Sequence, residues 1–399
     1  MLTTECSQNT RNTNKASAKI PYLQAQMQWF SGNPQISATK LTRVLYNFNN
    51  SDNILDVQIG RFPNLIENEK DNLNCSICNP ETGDLALLFN GTDIYDGLRN
   101  KVNPAPLNCV RSTNFTSIIA PNLQRSSDPN FAYNVFYIDD STKYINTAIV
   151  TYPHGTNNPA QWIGQSIIAT NTIAAPLSLM CVNESEYWLV TLSNPSTLVA
   201  YRFGKTSDES VGAPIYLNLE PFSFITKPLN AATSSIVINQ NHIAITVNGY
   251  IMCAQLRVKN SNNRYSNSSR ILSLYNQKLV SSTATTTLMP AFDARNEQLY
   301  FLKAEDSQHK NHLWVCDIAS GAIYSAHTTY VFQNDYVTLK LAPNGIIYGT
   351  NIIPPAHQDP LLVIQEIEET GEVAVSELLN EQKYSSISFG NIQYQINNL

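Results

Sequence analysis

Three of the six histidines fall in two polar stretches late in the chain. "KAEDSQHKNH" carries Glu305, Asp306, His309 and His312, and "GTNIIPPAHQDP" carries His357 and Asp359. Just upstream of the second lie Gln333, Asn334 and Asp335. Imidazoles beside carboxylates can ligate a divalent metal or grip a polar ligand. The candidate binding residues are therefore Asp306, His309, His312, Asp335, His357 and Asp359. The plainer reading is two variable, solvated loops, which gather the same residue types. A His-x-x-His spacing in a loop does not set geometry as it would on a helix.

Other candidates are thinner. Cys75-Ser-Ile-Cys78 is a C-x-x-C with no second pair at zinc spacing. His154, with Tyr152, Asn157 and Trp162, has the makings of a sugar platform, although a Trp packed on a sheet edge explains the aromatic as well. His242 and His327 sit at strand ends and read as structural. Asp93, Asp96 and Asp139-Asp140 stand where turns are expected and read as turn formers. No G-x-S-x-G elbow, phosphate loop or His-Glu-x-x-His occurs.

Composition narrows the class. The 399 residues include 43% hydrophobic but only 14% charged residues, and the formal net charge is −6. That is a globular chain with no basic stretch to recommend a nucleic-acid partner. No apolar run reaches the roughly 18 residues that span a bilayer. The polar opening "MLTTECSQNTRNTNKASAK" lacks the apolar core of a secretory signal, so residues 1–40 are expected to be a flexible leader. The expected location is cytoplasmic, or exported without a conventional signal peptide. Cys78, Cys181, Cys253 and Cys316 lie inside apolar runs and are expected to be buried, reduced thiols.

The elements that must carry these residues repeat. "LVAYRF", "IMCAQL", "LWVCDI" and "LVIQEI" align without gaps, each with a polar fifth and an apolar sixth position. A strand-like run precedes each ("EYWLVTL", "HIAITV", "QLYFLK", "GIIYGT"), and another follows ("APIYLNL", "SRILSLY", "GAIYSAHT", "GEVAVSEL"). Before all of these come "LMCV", "IVIN", "PAFD" and "LKLA". The units are spaced 56 residues from Tyr187 to Ile243 and from Ile243 to Leu299, 47 from Leu299 to Ile346, and 46 from Ile346 to Ile392. Four strands at such a period are propeller blades, which cannot bury both sheet faces singly but can in a ring.

The expected fold is all-β: a seven-bladed β-propeller of four-stranded blades over residues 41–399. Six units begin after residue 70. The seventh blade would be a composite, with strands from 41–60 joining strands from 384–396. The irregular second unit leaves counts of six and eight open. With its Pro343-Asn344-Gly345 turn followed by "IIY", the chain resembles the β-propeller superfold, with turns like those of NHL and gluconolactonase-like propellers. The resemblance implies fold and not function.

In such a blade the loop between strands two and three, and the loop leading to the next blade, open on one face. The histidine-bearing loops of blades five and six belong there, at the mouth of the central channel. Two functions follow. One is a non-enzymatic interaction module that uses this face to engage a protein or glycan, favoured by the missing catalytic motifs. The other is a metal-dependent hydrolase or lactonase-like enzyme with a divalent metal at the channel mouth. No cofactor is expected from any motif, and nothing in the sequence sets the oligomeric state.

Overall fold

The computed structural model describes residues 28–33, 42–47, 56–61, 75–79, 85–110, 116–123, 131–153, 155, 157–170, 175–183, 186–204, 213–260, 270–281, 287–304, 311–326, 337–342, 345–351, 361–366 and 373–378. These form antiparallel meanders with two short 3-10 turns. The repeating units of the sequence are the sheets. Blade one contains Cys75–Cys78, Leu85–Phe89 and Ile94–Asp96. Blade two contains Ser117–Pro121, Phe131–Ile138, Ile145–Tyr152 and Gln161–Ala169. Blade three contains Ser178–Asn183, Glu186–Asn194, Thr197–Gly204 and Ile215–Asn218.

Blade four contains Ser235–Asn239, His242–Val247, Tyr250–Asn260 and Arg270–Ser281. Blade five contains Ala291–Phe292, Gln298–Ala304, Asn311–Asp317 and Ile323–Ser325. Blade six contains Val337–Leu341, Ile347–Asn351, Leu361–Glu366 and Val373–Leu378. It gains a fifth strand, Thr287–Met289, which lies parallel to Val337–Leu341.

Burial explains why each run is a strand and where it sits. In blade three the first two strands are buried almost throughout, whereas the fourth alternates half-buried and exposed. Sheets sandwiched by neighbours on both faces need continuous apolar strands, and a rim strand needs only period two. The first strands touch between blades one and two, two and three, three and four, and five and six, which places them innermost. Core clusters fill the gaps between sheets. Met180, Trp188 and Leu198 of blade three meet Ile243, Met252 and Leu256 of blade four. Phe292, Leu299 and Cys316 of blade five meet Val237, Ala244 and Cys253 of blade four. Leu302 and Val315 of blade five meet Leu339 and Ile364 of blade six. The opposite face of blade six is buried too, at Thr338, Lys340 and Tyr348.

The architecture is a β-propeller, and the count it supports is six blades, not seven. The expected composite blade falls partly outside the described residues. Thr42–Asn47 and Asp56–Arg61 do pair, but their sheet takes its third strand from Gln28–Asn33, within the segment read as a leader. Thr42–Asn47 is thereby central and has no free edge for another strand. Residues 384–396 lie outside the described residues, as does the rest of 1–40. No helix among the described residues is long and apolar enough to cross a membrane.

Candidate functional site

A groove of about 590 Å³ lies at one end of blade four. One wall is the connection from blade three, and the other is the hairpin between blade four's second and third strands. Both belong to the face on which inter-blade loops and central hairpins open.

Local sequence builds each wall. After Ile215–Asn218, Leu219 and Glu220-Pro221-Phe222 wind into a 3-10 turn, with Phe222 N–H donating to Leu219 O at 3.0 Å and Ser223 N–H to Glu220 O at 3.1 Å. Pro221 suits this position because its fixed φ starts the turn and its missing N–H is not needed there. The turn drives Phe222 into the blade three–four core at 0% exposure and leaves Phe224, two residues on, 49% exposed. Across the groove the chain reverses at Asn248-Gly249, with φ of 51° and 86°. Two successive positive φ values define the hairpin turn that Asn-Gly favours.

Asn248 then ties the walls together. Its Oδ1 accepts the Asn230 N–H at 3.0 Å and its Nδ2 donates to Pro228 O at 3.1 Å. Ser234 Oγ donates to Asn230 O at 2.7 Å and holds the loop's exit. Tyr250 meets Phe224 edge-on, with centroids 5.2 Å apart and planes at 90°. The groove thus presents a braced aromatic face, and Thr226, Lys227 and Thr233 also line it. An apolar surface rimmed by a few fixed polar groups is how small or polymeric ligands are oriented. The sequence carries a signal for this loop in the two prolines and two phenylalanines among the sixteen residues linking the two blades, 219–234.

Of the six candidate binding residues, only His312 falls among the described ones. It is the second residue of blade five's third strand, paired with Lys303, and is half-buried. Lys303 itself lies over the Trp314 ring at 5.0 Å. Asp306, His309, Asp335, His357 and Asp359 lie outside the described residues. Among the described residues no three His, Cys, Asp or Glu side chains converge as metal ligands.

Of the remaining candidates, His154 and His327 lie outside the described residues, and the others resolve into structure. Cys75 and Cys78 are both fully buried on one strand, three residues apart and so on opposite faces, which keeps them from acting as a pair. Burial pushes the Cys75 and Cys109 thiols up, Cys109 to about 12. All six described cysteines are buried thiols outside any disulfide, as expected for Cys78, Cys181, Cys253 and Cys316. Tyr152 cannot serve a sugar platform. It is fully buried, its hydroxyl donating to Ala86 O and accepting from Gly97 N–H. Trp162 packs partly against the core. Asp139 accepts from Ser141 and Thr142 as a turn former, and hydrogen bonds hold its carboxyl below the usual range. Asp96 accepts from Asn100 N–H at 2.7 Å and from Ala160 N–H at 3.2 Å. Asp93 is buried against Lys101 at 2.6 Å.

No family model matches the chain, and neither does any curated protein. Among solved structures, the β-propeller domain of Myceliophteria thermophila Cps50 (Swd1) aligns over 85% of this chain and 90% of that one, at 10% identity and a TM-score of 0.41. Sqt1 from Chaetomium thermophilum aligns over 69% of this chain and 64% of that one, at 10% identity and a TM-score of 0.38. A prolyl endopeptidase aligns over 90% of this chain but only 52% of its own length, at 10% identity and a TM-score of 0.39. This chain spans about half of that enzyme. At such values the likeness is one of shape, and no function passes with it. The class of this protein rests on its own sheets: it is a β-propeller protein.

Proposed function

We propose that this propeller is a non-catalytic binding module that engages a protein or a glycan through the face carrying its inter-blade loops and central hairpins. The observation that supports it is the groove at blade four, where Phe224 stands exposed and braced by Tyr250 while Asn248 pins both walls. An exposed aromatic held rigid loses little conformational entropy on binding, which favours recognition. The loops bearing Asp306, His309, His312, Asp335, His357 and Asp359 are proposed to extend the same face.

A glycan array and a cross-linking screen with the full chain would supply the ligand. Phe224→Ser with Lys227→Ser should then weaken its binding at least about tenfold, roughly 1.4 kcal/mol, and leave the melting temperature unchanged. The alanine triple at His309, His312 and His357 reports whether blades five and six contribute. Undiminished binding by the Phe224/Lys227 variant would remove the groove from the site. Turnover of a lactone or ester, lost on chelation, would overturn the non-catalytic reading.

A further inference from the structure

Between Glu220 and Asp293 the chain contains no acidic residue and six basic ones: Lys227, Arg257, Lys259, Arg264, Arg270 and Lys278. The whole chain has 31 acidic and 25 basic residues, so this stretch runs against the balance. It includes all of blade four. Two of its cations are engaged elsewhere. Arg270 pairs with Glu186 at 2.6 Å, and Lys278 donates to the carbonyls of Ile318 and Ala319 at 2.9 Å each. Arg257 and Lys259 are exposed, and neither meets a carboxylate among the described residues.

Their setting is a ribbon. Blade four's second strand ends its pairing at His242 opposite Gln255. The third and fourth strands run on, pairing Arg257 with Ser273, Val258 with Leu272, Lys259 with Ile271 and Asn260 with Arg270. Period two sorts the side chains. Leu256, Val258, Leu272 and Leu274 turn to the blade three–four core. The outer face carries Tyr275, Arg257, Lys259 and Ile271, the last 45% exposed. Arg257 Cζ lies 4.8 Å and Lys259 Nζ 4.7 Å from the Tyr275 ring centre. The ribbon is held at its far end by the Arg270–Glu186 pair, so the outer face is presented on a fixed frame.

We propose that this face docks an extended acidic peptide segment of a partner protein, one that also carries apolar side chains. Alternate residues on a strand are about 6.8 Å apart, so carboxylates at every second position of an extended peptide match Arg257 and Lys259. Ile271 and the Tyr275 edge then cover the partner's apolar side chains. A nucleic acid or sulfated glycan would use the cations and leave Ile271 idle. This surface is separate from the groove, and its failure would leave the groove untouched.

The test uses fluorescence anisotropy of the full chain with a labelled decapeptide of alternating Glu and Leu. Its Gln–Leu counterpart, a single-stranded oligonucleotide of equal charge and a heparin oligosaccharide serve as comparisons. The Glu–Leu peptide should bind best and weaken as salt is raised. Arg257→Gln with Lys259→Gln should lower its affinity at least tenfold, and Ile271→Ser about threefold with the charges intact. Should the double variant fold poorly, Ile271→Ser and the salt series carry the result. Equal binding of the Gln–Leu peptide, tighter binding of the oligonucleotide or heparin, or indifference to both variants would overturn the proposal.

Discussion

Arg270 donates to the Glu186 carboxylate at 2.6 Å, and the two residues belong to different blades. Glu186 opens the second strand of blade three, and Arg270 opens the fourth strand of blade four. The carboxylate is almost fully buried and is served from three sides, by Arg270, by Arg202 at 3.1 Å and by Trp188 Nε1 at 3.1 Å. Burying a charge is costly, so the arrangement holds only while every partner is present.

Removing the carboxylate should therefore hurt more than an exposed ion pair would. Glu186→Ala leaves two guanidiniums facing each other without an anion and should cost about 3 kcal/mol. Denaturant unfolding of the variant checks this. A loss under about 1 kcal/mol, the range of surface pairs, would show that the clamp carries no more than they do.

Lys340 gives the fold a pH dependence of definite sign. Burial pushes its ammonium down from 10.5 to about 7. Between those values the unfolded chain holds a proton that the folded chain has released, so stability rises with pH across that window. It falls as pH drops toward 7, below which both states are protonated and the slope ends. Relative to Lys340→Met, the wild type should gain up to about 2 kcal/mol between pH 7 and pH 9. Parallel urea-unfolding profiles for the two proteins would refute the assignment.

His242 acts on the acid side. Burial holds its imidazole below 6.5, against an opposing pull from Asp293, while the ring's Nε2 bonds Gln255 Nε2 at 3.2 Å. A depressed folded value means that stability present above pH 6.5 is lost as pH falls through it. Because the ring is only half-buried, the loss should be under about 1 kcal/mol. His242→Gln should flatten the melting curve between pH 6.5 and 5. NMR titration of the ring at or above 6.5 would contradict this.

The N-terminal sheet should protect one cysteine of two. Gln28–Asn33 touches Cys75–Cys78. Cys75 and Ile77 turn to the blade two core, while Ser76, Cys78, Leu88 and Tyr95 share the other face, also buried. Deleting residues 28–61 should make Cys78 reactive to N-ethylmaleimide, leave Cys75 protected, and lower the melting temperature by several degrees. Mass spectrometry locates the label. Equal labelling of both thiols, or of neither, would mean that this sheet does not cover that face.

Much of the fold was legible along the chain. "IMCAQL", "LWVCDI" and their relatives became third strands because alternation, β-branching and turn residues act over a few neighbours. Asn248-Gly249 announced its hairpin for the same reason, since two positive φ values depend on those two residues alone. The buried thiols followed from apolar runs. None of this required knowing what lies beside a strand.

The rest depended on partners distant in sequence. Nothing near Thr42–Asn47 specifies that Gln28–Asn33 becomes its neighbour, since strand pairing is a choice among edges. Phe222 and Phe224 are alike on paper, and one is buried and the other exposed because a 3-10 turn rotates between them against blade four. Asp93 and Asp96 read alike as turn formers; Asp96 is one, accepting from Asn100 N–H and also from Ala160 N–H 64 residues away, whereas Asp93 is buried against Lys101 and Asn103. Lys340 reads as a solvated residue until both faces of blade six are covered. Local physics specified the strands of this chain. Which side chains became a groove, a clamp or a buried charge was settled by burial between sheets, a quantity that no short stretch of residues contains.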